Sequence, residues 1–234
     1  MAQLNVLISG GFNGAYDELL PEFERTSGIK VTTGSGASQG TSSQTIAAQL
    51  ARGVPADVVI LSREGLSELI AAKLIVAGTD IDLARVPVGV AVRAGTPKPD
   101  VSTVEGFKRV LLKAKTVVVP GSTSGIWLRT ELFPRLGVAD KIRVEVTPRG
   151  TGAAAMVVAG DADLALLPSS EILSAPGVEL AGNLADEIQF IQTFSAAVVA
   201  GSEQIEGAGR LIEYLTSPRA SEAIRKSGME PVAG

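Results

Sequence analysis

Residues 116–136, TVVVPGSTSGIWLRTELFPRL, indicate the fold class of the chain. The first four are apolar or β-branched and predict a short buried strand that ends at Pro120. Apolar residues recur at helical spacing from Ile126 onward, so we predict a helix directly after the hydroxyl-rich turn STSG at 122–125. A helix N-terminus offers unpaired N–H groups to an anion, and small residues in front of it allow close approach. Capping of the helix by one of the serines is the alternative role for this turn.

The same order of strand, small polar turn and helix recurs along the chain. The other predicted strands that a helix follows are residues 4–8, 29–33, 56–61, 144–147 and 164–167. We expect the first helix to be kinked or restarted at Pro21. Residues 34–41 (GSGASQGT) form another such turn, for which a flexible linker is the alternative. Strands that alternate with helices predict an α/β fold with parallel strands, in which ligands bind at the carboxyl ends of the strands.

Two long extended runs, residues 86–93 (VPVGVAVR) and 190–200 (FIQTFSAAVVA), bracket a complete series of strands and helices. We interpret them as paired strands that cross between two α/β lobes and form a hinge. The predicted lobes are residues 1–86 plus 196–234, and the inserted residues 87–195. Turns from both lobes are then expected to face one cleft.

Composition excludes several classes of function. The chain has 234 residues, a formal net charge of −4, no histidine and no cysteine. The acidic balance argues against a nucleic-acid partner. Without histidine or cysteine there is no thiol nucleophile, disulfide, Ser-His-Asp triad or common zinc site. We assign no metal and no cofactor, and no segment is long and apolar enough to span a membrane.

Five segments carry a resemblance to a known family. They are LNVLISGG (residues 4–11), ADVVIL (56–61), VPGSTSGI (119–126), AGDADLAL (159–166) and YLTSPRASEAIRKSGMEP (214–231). Over the whole chain the sequence resembles the type II periplasmic solute-binding proteins, in particular the molybdate-binding-protein-like group of ABC-transporter receptors. The resemblance implies two α/β lobes joined by a two-stranded hinge, which close on a small anion held by hydroxyl and backbone N–H groups.

The resemblance also implies a ligand site and partners. The ligand is a small oxyanion or organic carboxylate, and a membrane component of an ABC transporter is the expected protein partner. The implied ligand-binding residues are Ser9, Gly10, Gly11, Ser38, Ser122, Thr123, Ser124, Arg149, Thr151, Gly152 and Ser169.

Two departures from the molybdate receptors bear on the ligand. Those receptors usually carry two serines or alanines where this chain has Gly10 and Gly11, and they bind their oxyanion with neutral donors. Arg149 could add a cation here, as a carboxylate clamp, although an exposed surface arginine is the alternative. The sequence is in this respect more similar to a divergent branch associated with organic acids, some members of which resemble aconitate isomerase.

Two classes of function therefore stay open: a receptor for an anion, and an isomerase of an unsaturated tricarboxylic acid. A ligand sensor that works without a transporter is a third possibility and differs from the receptor only in its partners. An enzyme without histidine needs a carboxyl, lysine or tyrosine with a shifted pKa. The turns contain no acid except Glu171 at their edge, which favours the receptor. Trp127 is expected to pack beside the cleft, and Asp161 and Asp163 to lie solvated in a turn.

The first four residues, MAQL, contain neither the basic nor the apolar segment of a signal peptide. We expect a periplasmic protein if a signal peptide has been removed ahead of this sequence, and a cytoplasmic protein otherwise.

Overall fold

Strands and helices alternate along most of the chain in a computed structural model that describes residues 3–232. The strands are β1 (Gln3–Ile8), β2 (Lys30–Ser35), β3 (Val58–Ser62), β4 (Ile81–Arg93), β5 (Val117–Pro120), β6 (Val144–Thr147), β7 (Leu164–Pro168), β8 (Val178–Asn183), β9 (Ile191–Val198) and β10 (Glu230–Pro231). The helices are α1 (Asn13–Ser27), α2 (Ile46–Ala51), α3 (Arg63–Ala71), α4 (Val104–Lys113), α5 (Thr123–Trp127), α6 (Phe133–Arg135), α7 (Gly150–Ala159), α8 (Ser169–Ser174), α9 (Ile205–Leu215) and α10 (Pro218–Lys226). The predicted mixed α/β class is confirmed, while Met1 and Ala2 of the predicted N-terminal start lie outside the described residues.

Contacts within the chain define two units. The first unit runs to Arg85 and resumes at Thr193, and the second unit is Val86–Gln192. Both boundaries fall inside strands, one in β4 and the other in β9. A hinge at these strands, with the lobe limits given above, stays a prediction.

The first unit contains a sheet with the order β2-β1-β3-β9. β1 is parallel to both of its neighbours, and β9 is antiparallel to β3. Ile8 at the end of β1 pairs with Ser35 at the end of β2 and with Ile60 in β3. The carboxyl ends of the three parallel strands therefore lie at one edge, where the turns with Ser9 and Ser38 begin.

The second unit contains a sheet in which β5 lies between β7 and β6, parallel to both. β4 is antiparallel to β7 on one side and to β8 on the other. Pro120, the last residue of β5, pairs with Thr147, the last residue of β6. Val118 pairs with Ala165, so β7 also ends near this level. The turns after all three parallel strands consequently lie at the same edge.

The two faces of β5 show why its sequence forms a buried strand. Val117 and Val119 belong to one apolar cluster with Phe107 of α4, while Val118 belongs to another with Val157 of α7. All three valines are fully buried, so helices cover both faces of the sheet. An alternation of apolar and polar residues is absent because neither face meets water.

Three parts of the chain differ from the sequence-based expectation. α1 runs through Pro21 as one continuous helix, so the expected restart is wrong, while a kink there stays a prediction. Pro21 is exposed, and the helix is held by its buried side chains on the other face. β4 begins at Ile81, five residues before the predicted run at residue 86. β8, with the sequence VELAGN, was not predicted because its pattern is weak and its partner β4 is distant in sequence.

A polar network in the first unit joins α3 to β4 and β9. The guanidinium of Arg63, the first residue of α3, pairs with Asp82 and binds Asp80 at 2.8 Å. The Ser195 hydroxyl of β9 donates to Asp82 Oδ1 at 2.6 Å. Burial raises the pKa of Asp82, but the hydrogen bonds from Ser195 and Arg63 and the arginine charges outweigh it, so the pKa lies below its usual value.

Candidate functional site

The edge of the second unit brings together three turns, each followed by a helical segment. The Gly121 N–H donates to the Thr147 carbonyl oxygen at 2.6 Å, which joins the turn after β5 to the end of β6. Ser169 begins α8 directly after Pro168 at the end of β7. The predicted residues of this unit that reach the edge are Ser122, Thr123, Ser124, Arg149, Thr151, Gly152 and Ser169.

The turn after β5 is packed tightly against the strand that precedes it. An added Cβ at Gly125 would lie 1.7 Å from the Pro120 carbonyl oxygen, so only glycine allows this approach. Ser122 is the N-cap residue of α5, yet its side chain makes no capping hydrogen bond, which disfavours the capping alternative for it. Thr123 and Ser124 are buried at 4% and 2% exposure. The helix continues through a π-helical stretch, Leu128–Leu132, into α6.

The turn after β6 presents a cation at the start of a ten-residue helix. Arg149 is the N-cap residue of α7 and is part-exposed, and its side chain makes no capping hydrogen bond. Among the described residues, no carboxylate lies within ion-pair distance of Arg149. Thr151 is exposed in the first turn of α7, and Gly152 packs against the Thr147 side chain. The guanidinium and the first N–H groups of α7 can therefore both meet an anion.

Glu171 is the acid of this edge. It lies in the first turn of α8, and its carboxyl group reaches across to the start of α7. An added Cβ at Gly150 would lie 1.8 Å from Glu171 Oε2 and 2.8 Å from Cδ. The carboxyl group therefore occupies the place of a side chain at position 150. Because β5 lies between β7 and β6, this contact passes over the end of the central strand.

The protonation of Glu171 is unusual. Burial of its carboxyl group raises the pKa of Glu171 to about 7, and the positive charge of Arg149 opposes that rise. Glu171 as a whole residue keeps part of its surface exposed, and its carboxyl group lies against Gly150 at the start of α7. A carboxyl with this pKa is present in both forms near neutral pH, as acid–base catalysis requires. The residue types alone had placed Glu171 only at the margin of the turns.

The turns of the first unit lie at the carboxyl edge of its own sheet. Ser9 and Ser38 are buried at 7% and 3% exposure. The Ser9 N–H donates to the Ile60 carbonyl oxygen at 2.8 Å and is therefore used within the fold. Ser38 Oγ accepts the N–H of Ser62 at 2.9 Å, which leaves the hydroxyl proton of Ser38 for another acceptor.

Gly10 and Gly11 belong to a short 3-10 turn after β1. An added Cβ at Gly11 would lie 2.2 Å from the ring of Phe194, so packing against β9 accounts for this glycine. The structure thus brings Ser9, Gly10, Gly11 and Ser38 to one edge of the first unit. That they bind one ligand together with the residues of the second unit stays a prediction.

Two buried acceptor groups in the first unit are not among the residues predicted from the sequence. Asn13 Oδ1 and Glu64 Oε2 are buried and have no hydrogen-bond partner within the described residues 3–232. Asn13 begins α1 after β1, and Glu64 lies in the first turn of α3 after β3. A polar residue in the first helical turn behind a predicted strand is the signal that could have identified them.

Two other predictions concern residues beside the turns of the second unit. Trp127 packs on Phe190 with ring centroids 5.1 Å apart, in agreement with a packing role. Asp161 and Asp163 are exposed in the turn between α7 and β7, as expected, and Asp163 also has a local structural role. Its Oδ2 accepts the N–H groups of Lys115 at 2.6 Å and Thr116 at 3.1 Å, which orders the chain entering β5.

Residues 3–232 contain no group of three or more acidic side chains that could hold a metal ion. Within the same range no helix combines the length and apolar character needed to cross a bilayer.

A family model described as bacterial extracellular solute-binding protein matches residues 4–230 of the chain. The chain belongs to this family. The match confirms the resemblance to solute-binding proteins, and solved structures of oxyanion-binding proteins share the fold. The periplasmic molybdate-binding protein of Azotobacter vinelandii has a TM-score of 0.75 and 18% identity, with 99% of both chains covered. The sulfate-binding protein SubI of Mycobacterium tuberculosis has a TM-score of 0.79 and 21% identity, with 99% of this chain and 88% of that chain covered.

Among relatives in sequence, this family member is similar to an aconitate isomerase from a Pseudomonas species. The two are 36% identical over 234 residues, which cover 98% of this chain and 88% of that protein. The solved structures are too distant in sequence to indicate more than the fold, whereas this similarity extends along nearly the whole chain.

Proposed function

We propose that the chain is an isomerase that moves a proton along an unsaturated tricarboxylic acid, with aconitate as its substrate. The observation that carries the proposal is the carboxyl group of Glu171, which lies against the start of α7 with a pKa of about 7. The similarity to an aconitate isomerase over 98% of this chain supports the same substrate.

The reaction moves one proton and shifts the double bond from one side of the central carbon to the other. Aconitate has a methylene carbon and a vinylic carbon on either side of a central carbon that bears a carboxylate. The Glu171 carboxylate takes a proton from the methylene carbon, and the C–H electrons form a new double bond to the central carbon. The old double bond opens, and its far carbon receives a proton from the Glu171 carboxyl. The cis and trans forms interconvert without an oxidant, reductant or cofactor.

The neighbouring groups fit the charge that develops in this reaction. Removing the proton places negative charge on the carboxylates next to the reacting carbons. Arg149 and the first N–H groups of α7 stand beside Glu171 and stabilise that charge. The adjacent helix α5 begins with Ser122, Thr123 and Ser124, whose hydroxyls supply neutral donors to a second carboxylate. This edge therefore offers more than one donor group to a substrate that carries three carboxylates.

A receptor for a small anion is the second candidate. Membership of the solute-binding family favours it, and the solved relatives named above are molybdate- and sulfate-binding proteins. Under this alternative the ligand is a di- or tricarboxylate or an oxyanion, the partner is a membrane component of an ABC transporter, and the protein is periplasmic. Residue types alone favour this alternative, but the position and raised pKa of the Glu171 carboxyl shift the balance toward the isomerase.

Proton NMR of cis- and trans-aconitate separates the two functions. The vinylic signals of the isomers differ, so conversion of either one by the native protein can be followed in time. The isomerase is supported by catalytic conversion of both isomers to the same equilibrium mixture. Tight aconitate binding in calorimetry with no conversion contradicts the isomerase and favours the receptor. The absence of both binding and conversion contradicts aconitate as substrate and ligand.

A further inference from the structure

The backbone conformation at position 150 does not require a glycine. Its φ is outside the positive region that glycines such as Gly28 and Gly160 adopt, at 72° and 84°. It is the first residue of α7, and alanine is the better helix former at such a position. The absence of a side chain at Gly150 therefore needs a reason outside the helix.

That reason is the volume taken by Glu171. The three heavy atoms nearest to an added Cβ at Gly150 are Oε2, Cδ and Oε1 of Glu171, at 1.8, 2.8 and 3.4 Å. A glycine inside a helix is not always obstructed in this way: a Cβ at Gly209 of α9 would meet nothing within 4 Å. The obstruction at Gly150 is the end of a flexible side chain, so an alanine there can be accommodated if the carboxyl moves.

We propose that Gly150 is a positioning residue for the isomerase reaction: its missing side chain admits the Glu171 carboxyl to the start of α7, beside Arg149. The inference rests on the proposed function, because it assigns Glu171 the proton transfer. Gly150 itself need not touch substrate. It determines where the reacting carboxyl stands relative to the cation and the N–H groups that hold the substrate.

The surroundings of Glu171 are simple enough for this role to be measured. β7, which precedes α8, is wholly apolar, and the first turn of α7 contains no acidic residue. Arg149 is the charged group that acts on the Glu171 carboxyl. A displaced carboxyl leaves its enclosed position, so its pKa is expected to fall toward the ordinary range of a glutamic acid.

The test uses four variants of the full chain: Gly150→Ala, Glu171→Asp, the two combined, and Gly209→Ala as the matched control. Aspartate is one methylene shorter and retracts the carboxyl from an added methyl group. The readouts are kcat and KM for aconitate, the pH profile of kcat, and a carbon-13 NMR titration of the residue 171 carboxyl. The NMR signal is assigned by its loss in Glu171→Gln.

Steric positioning predicts a pattern of effects, with Gly209→Ala behaving like the native protein. Gly150→Ala should lower kcat at least tenfold with a smaller change in KM, and should move the residue 171 titration and the pH profile together. The combined variant should lie within about threefold of Glu171→Asp alone, because the shorter side chain removes the clash. If Gly150→Ala folds only when combined with Glu171→Asp, that rescue also supports steric positioning.

The inference is overturned if Glu171 titrates in Gly150→Ala as it does in the native protein. It is also overturned if the loss of kcat in the combined variant equals the product of the losses in the two single variants. A combined variant that also fails to fold overturns it too. The titration does not require turnover. If the native protein does not convert aconitate, the proposed function fails, and the NMR titration still decides whether Gly150 places the carboxyl.

Discussion

The carboxyl group of Glu171 stands where a side chain at Gly150 would be, with Oε2 only 1.8 Å from the ideal Cβ position. The two residues follow different strands, Glu171 after β7 and Gly150 after β6, and β5 lies between these strands. The contact therefore depends on the order of strands in the sheet. It places an acid with a raised pKa beside the positive end of α7 and Arg149.

Replacing Arg149 should weaken the binding of a carboxylate ligand. A charged hydrogen bond is worth about 1.5–3 kcal/mol, so Arg149→Ala is expected to reduce aconitate affinity by roughly 10- to 150-fold. Arg149→Lys keeps the charge but loses the bidentate geometry of guanidinium, so its aconitate affinity should lie between those of the native protein and Arg149→Ala. Calorimetry measures both. Arg143→Ala is the control, because that exposed side chain pairs with Glu145. Equal affinity in Arg149→Ala and the control would rule out the clamp.

The hydroxyl groups of the turn after β5 should contribute to binding. Changing Ser122 and Ser124 together to alanine is expected to weaken aconitate binding by about 1–3 kcal/mol, the usual effect of lost hydrogen bonds. Ser67→Ala serves as control, because Ser67 is exposed on α3 and donates to the Arg63 carbonyl oxygen. A folded double variant with native affinity in calorimetry removes this turn from the site.

Replacing Glu171 should stabilise the fold in a pH-dependent way. Its pKa in the folded state, about 7, lies above the ordinary 4.5, so the folded protein holds this proton more tightly than the unfolded chain. Ionisation thus costs folded stability as pH rises from 4.5 to 7, by roughly 3 kcal/mol in total. Glu171→Gln should unfold like the native protein at pH 4 and at a higher urea concentration at pH 8. A difference in the free energy of unfolding that is independent of pH contradicts the raised pKa.

The network around Asp82 should behave in the opposite sense. Hydrogen bonds from Ser195 and Arg63 overcome the effect of burial and lower the pKa of Asp82, so its stabilising contribution is present above the unfolded value of 3.8 and is lost as pH falls. Ser195→Ala should reduce the free energy of unfolding by about 1 kcal/mol at pH 7 and by less at pH 3. Urea unfolding at the two pH values measures this. An effect that is larger at pH 3 would speak against the assignment.

The order of strands, turns and helices was predictable because each signal is local. The valines before Pro120 and the small residues behind them are enough to predict β5 and the start of α5. β8 was missed because a weakly patterned strand is held by pairing with β4, which lies far away in sequence. The restart expected at Pro21 does not occur, because burial of one face of α1 outweighs the local cost of a proline.

The candidate site was predictable in its turns and not in its chemistry. The serines, Arg149 and the glycines could be assigned to helix starts from sequence. The role of Glu171 could not, because its pKa depends on enclosure beside Gly150, and that contact follows from the strand order β7-β5-β6. Gly11 was assigned to the ligand, while its close contact with Phe194 of β9 provides a packing reason that no local pattern contains.

The rate of aconitate interconversion in Glu171→Gln is the most direct test of the proposal. Glutamine keeps the size of the side chain and cannot take up or return a proton at this pH. Loss of a general base typically costs 10²- to 10⁴-fold in rate, so we predict a fall of about that size, measured by proton NMR alongside the native protein. Interconversion by Glu171→Gln at the native rate would contradict the assignment of the proton transfer to Glu171.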